Sequence, residues 1–288
     1  MRVIFSQRSQ VHTHSLSVNT TGVVVLSKIM VIIDPSMDEQ PAFDRGLEFC
    51  HMTGARLHVY VCLTWDRDDA TRASDTRLIQ ETLDDCLVRC RAEGVEARGE
   101  LQWSDDWRRQ AATAAARSFA SIIFKSYSPS RDEPPTIRGN YDWTLLRLAP
   151  CPVLLIKNRR HWKHQRVLAA VYPNAPDEAH QKLNHQIISF AQRFTDANGL
   201  EAHVVTVYDD RDNALTSKQL ADICGIAEEF AHVGMGQPAD VIRDMAVDID
   251  ADLILVGTVG RDGLQGPIVG NTSERLVDHA ASDVLILN

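Results

Sequence analysis

No apolar stretch in this chain comes near the roughly 20 residues needed to span a bilayer as a helix. The first 27 residues also lack the continuous apolar segment of a secretory signal. Positive charge is in short supply: 30 Lys and Arg stand against 39 Asp and Glu, a net charge of −9. That balance argues against a general nucleic-acid-binding surface. There is no GxxxxGK[ST] loop, which excludes a P-loop nucleotidase. Among the six cysteines, Cys86 and Cys90 stand four apart on an expected helix, but no further Cys/His pair follows at zinc-site spacing. We read them as buried, reduced thiols of a cytoplasmic protein.

What the sequence does contain is a repeat. Placed without a gap, Ala120 to Ile156 aligns with Ala251 to Leu287: Ile123 falls on Ile254, Gly139 on Gly270, Asn140 on Asn271, Leu145 on Leu276 and Val153 on Val284. Upstream, Val31 to Ser36 resembles Ala169 to Asn174, and His58-Val59 resembles His203-Val204. The chain is therefore two copies of one unit of about 130 residues. We divide it into an N-terminal extension at 1–27, a first domain at 28–158, a linker at 159–165 and a second domain at 166–288. The extension is expected to be a disordered arm or an upstream reading-frame extension ahead of Met30.

Each unit alternates short apolar runs with helical patterns. In the first, the runs Ile29–Ile33, Leu57–Leu63, Val95–Trp103, Ser121–Phe124 and Val153–Ile156 read as buried strands. The second repeats this at Val167–Val171, Ala202–Tyr208, Phe230–Val233, Leu253–Val256 and Val284–Leu287, with its second helix abbreviated between Asp209 and Glu229. Such alternation predicts an α/β fold with parallel sheets and right-handed crossovers. Ligands of such sheets sit at the carboxyl ends of the strands.

At one of these ends Leu253 to Val256 runs into Gly257, Gly260, Arg261, Gly270, Asn271 and Thr272. A glycine loop feeding a helix start presents backbone N–H groups and the positive end of the helix dipole to an anion. The spacing Gly257-x2-Gly260-x9-Gly270 with Asn271 and Thr272 resembles the ATP-binding loop of the universal stress protein family, and two tandem units resemble its tandem branch. The resemblance implies a Rossmann-like five-stranded parallel sheet per unit, order 3-2-1-4-5. It also implies a pseudo-dimer through Val153–Ile156 and Val284–Leu287, and ATP or a related nucleotide, with magnesium, as ligand.

Family members that bind nucleotide hold the adenine edge with an aspartate after strand one and the phosphates with the glycine loop. Carried over, the second unit keeps Gly257, Gly260, Gly270, Asn271 and Thr272, but Tyr172 stands at the aspartate position. The first unit keeps Asp34, but Ser126 and Pro129 replace the first two glycines, and only Gly139 and Asn140 remain. Pro129 removes an N–H donor and sets a ring where a phosphate would approach. Losing the aspartate costs roughly 1.5–3 kcal/mol of a charged hydrogen bond.

Each of these residues also has a plainer reading. The glycines serve a loop that turns at positive φ, Asn271 is an ordinary N-cap, Arg261 is a solvated loop charge, and Asp34 bonds its own turn. His58 and His203 occupy equivalent strand positions through repeat ancestry. The basic run Lys157 to Gln165 is a solvated linker or an anion-contacting edge. The function expected is that of a non-catalytic stress-response protein that binds a nucleotide or another small anion in its second unit and acts through conformation or partners. The alternatives are a structural or interaction module without a nucleotide and, with no general base placed beside the loop, a slow ATP hydrolase.

Overall fold

The computed structural model describes residues 26–64, 69–127, 142–157, 161–175, 177–210, 214–258 and 271–288. The first half runs β1 (Lys28–Ile32), α1 (Pro41–Thr53), β2 (Arg56–Leu63), α2 (Asp69–Ala92), β3 (Ala97–Trp103), α3 (Trp107–Ser118), β4 (Ile122–Ser126), α4 (Asp142–Leu148) and β5 (Val153–Ile156). The second runs β6 (Arg166–Ala170), α5 (Glu178–Asn198), β7 (Glu201–Tyr208), α6 (Ser217–Cys224), β8 (Ala231–Met235), α7 (Pro238–Asp248), β9 (Leu253–Gly257), α8 (Asn271–His279) and β10 (Asp283–Leu287).

The ten strands among the described residues form one sheet, ordered β3-β2-β1-β4-β5-β10-β9-β6-β7-β8. Each half is parallel with order 3-2-1-4-5. The halves join antiparallel, Val284 opposite Leu155 and Ile286 opposite Val153. Buried side chains cover both faces. Phe43, Leu47, Leu83, Ile187 and Leu220 bring α1, α2, α5 and α6 to one face. Ala111, Leu145, Ile242 and Leu276 bring α3, α4, α7 and α8 to the other. With both faces covered, the strands need continuous apolar runs, which is why period-two alternation is absent from them.

Local signals set the ends of the helices. Asp106 caps α3 by accepting from the Arg109 amide at 3.2 Å. Thr216 and Gln219 make a capping box at α6, and Gly54 and Gly225 close α1 and α6 at φ +67. The abbreviated second helix is α6, 8 residues against 24 in α2. Every strand but β5 differs from expectation by one or two residues at an end, and β4 runs two residues past Phe124, taking Lys125 and Ser126 into the sheet. The ammonium breaks the apolar run in sequence, while the backbone pairing continues to Ile156.

The basic run between the halves meets the protein's own acids. Asp252 accepts the backbone amides of Lys163, His164 and Gln165 at 3.1, 2.9 and 2.6 Å. The buried carboxylate of Asp283, at the start of β10, accepts the Lys157 amide at 2.8 Å and the Trp162 indole N–H at 2.9 Å. Buried Arg45 of α1 lies 3.5 Å from that carboxylate and 4.8 Å from the Trp162 ring centroid. Phe49 packs edge-on against the same indole. Residues 161–165 thus form a strap that ties the first half to the second at the amino ends of β9 and β10.

Candidate functional site

The sheet register matches the two halves position by position. Ile33 donates to Tyr60 O and Val171 to Val205 O, so the residues that follow, Asp34 and Tyr172, are equivalent. A side-chain amide clasps each of them. Gln40 accepts from the Asp34 amide and donates to its carbonyl at 3.0 and 2.8 Å; Asn184 makes the same pair of bonds with Tyr172 at 2.9 and 2.5 Å. The repeat has kept the backbone conformation after strand one while the side chain changed. Asp34 Oδ1 accepts from the Ser36 amide and hydroxyl at 3.0 and 2.6 Å, so this carboxylate bonds its own turn. Tyr172 is exposed.

In the second half, β9 ends on Gly257 and α8 begins at Asn271. The buried Ser273 hydroxyl donates to the Gly257 carbonyl at 3.2 Å, which draws the first turn of α8 onto the strand end. Thr258 continues the sheet, donating to Leu287 O at 2.7 Å. Arg275 holds α8 to α7 through both carboxylate oxygens of Asp240. The intervening stretch, with Gly260, Arg261 and Gly270, lies outside the described residues, as do Pro129, Gly139, Asn140, the first 25 residues and the side chain of Asn271.

Gly257 has a packing role. It does not take a positive φ. A Cβ built there would stand 2.5 Å from Leu183 Cγ of α5, far inside van der Waals contact. Glycine lets α5 lie against the strand end. The equivalent residue in the first half is Ser126, whose buried hydroxyl accepts from the Ala42 amide at 3.1 Å and so supplies the cap that Gln40 does not give α1. Gly257→Ala is expected to cost about 1–3 kcal/mol through overpacking. Urea unfolding measures this, and Leu183→Ala in the same chain should recover part of it. A neutral Gly257→Ala would leave the loop as the only reason for the glycine.

A cavity of about 360 Å³ lies in the first half. Asp34, Leu63, Leu78, Trp103, Trp107 and Lys125 line it at the carboxyl ends of β1 to β4. Lys125 is buried, donates to Ser126 O at 3.0 Å and stands 5.6 Å from the Trp107 ring centroid. Sequence reasoning placed the site in the second half and missed this one. The signal available was an ionisable residue directly after Ile122-Ile123-Phe124. In the second half, register makes Val256 the equivalent of Lys125, Tyr208 that of Leu63 and Met235 that of Trp103. Tyr208 is buried, and its hydroxyl has no hydrogen-bond partner among the described residues.

The paired histidines lie toward the amino ends of the strands, away from either cleft. His58 pairs with Met30 and Arg98 in the sheet, and His203 with Leu168. Each meets a carboxylate: His58 Nε2 lies 3.1 Å from Glu100, and His203 Nε2 lies 2.9 Å from Glu201. His203 Nδ1 also faces His232 Nε2 at 2.9 Å. All six cysteines are buried and free, and burial pushes the Cys151 thiol up to about 12. No helix among the described residues is long and apolar enough to cross a membrane.

Comparison with known proteins places this geometry. A sequence profile of the universal stress protein family matches residues 26–157 and 217–288. Universal stress protein E of Salmonella typhi is 25% identical over 297 residues, covering 90% of this chain and 93% of the relative. The Universal stress protein E homolog of Haemophilus influenzae is 30% identical over 171 residues, covering 50% of this chain and 54% of the relative. Among solved structures, a functionally unknown protein from Pseudomonas aeruginosa PAO1 is similar at TM-score 0.69 and 29% identity, covering 91% of this chain and 92% of that one. A universal stress protein from Archaeoglobus fulgidus shares the fold at TM-score 0.70 and 17% identity, covering 91% and 96%. The strand order, the pairing of the two halves through β5 and β10 and the profile match agree: the chain belongs to the universal stress protein family, with two domains of that family in tandem.

Proposed function

We propose that this protein is a non-catalytic stress-response protein whose second half binds a nucleotide of the ATP type, with magnesium, or another small anion. The observation that carries this reading is the Ser273–Gly257 bond, which brings a helix N-terminus to the end of a strand with a glycine-rich loop between them. Gly257, Gly260, Arg261, Gly270, Asn271 and Thr272 are the residues assigned to the ligand's phosphates. The buried Tyr208 hydroxyl, without a partner among the described residues at the carboxyl end of β7, suits a ligand group that completes its hydrogen bonding. It offers an acceptor where Tyr172 has replaced the aspartate. Binding would act through conformation or choice of partner, in line with relatives named as stress proteins. We place the protein in the cytoplasm, where the six buried thiols stay reduced.

Calorimetry with ATP and magnesium on the wild type and Gly260→Pro tests the reading. Saturable heat is expected from the wild type, with affinity at least 10-fold weaker in the variant, because proline removes a donor and blocks close approach. No heat from the wild type sinks the nucleotide reading, and unchanged binding by Gly260→Pro moves the site elsewhere. Phosphate release abolished by the same change would favour a hydrolase.

A further inference from the structure

The cavity of the first half is built differently from the glycine-loop site. It sits where parallel sheets hold ligands, at the carboxyl ends of adjacent strands. At about 360 Å³ it falls within the range of small-molecule sites. Its wall is largely apolar, with the indoles of Trp103 and Trp107 and the side chains of Leu63 and Leu78. Into this wall the chain sets an ammonium, Lys125, that is only 6% exposed. Burying an ammonium costs several kcal/mol before its partners are counted. The fold does not demand it, since the second half carries Val256 at the same register and forms the same sheet. The indole at 103 and the open space beside Leu63 are likewise features of one half, being Met235 and Tyr208 in the other.

The charges are also arranged by depth. Lys125 is buried, whereas Asp34 and Asp75, the two carboxylates that line the cavity among the described residues, are half-buried. A polyphosphate would have to settle beside two carboxylates in a half that has lost its phosphate loop. A single carboxylate carried on a flat apolar body meets the ammonium and the indoles without that repulsion. We propose that this cavity binds a compact aromatic monocarboxylate, its carboxylate held by Lys125 and its ring packed against Trp103 and Trp107. The site is separate from the one assigned to the second half, and the two would be occupied independently.

The probes are 1-naphthoate, its neutral counterpart 1-naphthamide, and ATP, each titrated into the full chain and followed by tryptophan fluorescence and calorimetry. Naphthoate is expected to bind saturably and at least 10-fold more tightly than the amide. Lys125→Met should weaken naphthoate by about 10- to 100-fold, the scale of one charge-assisted hydrogen bond, and abolish the preference for the carboxylate. Leu63→Tyr, which installs the residue of the second half, should exclude both probes; it keeps the test open if Lys125→Met fails to fold. Gly260→Pro should leave naphthoate binding unchanged. The proposal is overturned if naphthoate does not bind the wild type at millimolar concentration, or if carboxylate preference survives Lys125→Met. It is overturned equally if Leu63→Tyr binds as the wild type does, if ATP competes with naphthoate, or if Gly260→Pro abolishes naphthoate binding.

Discussion

Asp283→Ala is expected to destabilise the protein by about 3–5 kcal/mol, because it takes the acceptor from two donors and one carboxylate partner from a buried guanidinium. The carboxylate is 1% exposed and Arg45, 3.5 Å away, is 4% exposed, so neither is eased by water. Removing it leaves Arg45 with the Glu48 carboxylate, at 3.3 Å, among the described ion pairs, and takes the acceptor from the Lys157 amide and the Trp162 indole. The strap then loses its hold on β10, and Trp162 loses the geometry that sets it against Phe49 and Arg45. A fall in melting temperature of about 10 °C follows for a protein of this size.

Asp252→Ala gives the comparison. It also removes three backbone hydrogen bonds to the strap, but from a half-buried carboxylate that water reaches, so the loss should be smaller. The pair Arg45→Met with Asp283→Leu removes both charges together and should recover much of the stability, because desolvation offsets most of what a buried ion pair contributes. Urea unfolding followed by tryptophan fluorescence reads all three. A loss below about 1 kcal/mol for Asp283→Ala would mean that water or the surrounding chain already compensates Arg45.

This interlock was not legible in the sequence, and the reason is physical. Arg45 sits among apolar residues of α1 and carries no local sign that it is buried. Its partner lies more than two hundred positions away, in the other half. Asp252 and Asp283 each precede an apolar run and read as ordinary polar strand boundaries. The repeat, by contrast, was legible because buried positions tolerate little change. Ile123 with Ile254, and Leu145 with Leu276, lie fully buried in matching strands and helices. Register and strand order followed once the unit was seen twice.

The candidate sites divide the same way. The glycine loop announced itself through spacing, and the bond from Ser273 to Gly257 shows why its flanks converge. The reason for Gly257 itself was hidden, since Leu183 approaches it from seventy-odd residues upstream. The cavity around Lys125 was hidden too. An isolated lysine after an apolar run looks like the end of a strand, and only pairing with β5 and β1 carries the strand through it.

Acid should weaken the first half through His58. The ring is fully buried, and neither nitrogen has a hydrogen-bond partner among the described residues, although Glu100 stands 3.1 Å from Nε2. Burial is the main cause that lowers its pKa to about 4, followed by the charge of Arg98; Glu100 opposes both, and Lys28 adds a small push downward. Arg117 of α3 occupies the other oxygen of Glu100, which limits what that carboxylate offers the imidazole. The unfolded chain takes up its proton near the ordinary imidazole value of about 6.5, whereas the folded chain refuses it until about pH 4. The unfolded state therefore binds more protons across that window, and stability falls as pH falls. About 2–3 kcal/mol should be lost between pH 6.5 and 4 from this group. His232, lowered by burial and then by the charge of His203, contributes in the same direction. The lowered carboxylates Asp177 and Glu201 act only at more acid pH, as they begin to take up protons. Urea midpoints at pH 7.0, 5.5 and 4.5 read the slope, and His58→Phe isolates its source. Phenylalanine fills the site without a titrating group, so the variant should show a distinctly flatter dependence whatever its stability at neutral pH. An unchanged slope in His58→Phe would assign the acid sensitivity to His232 of the second half.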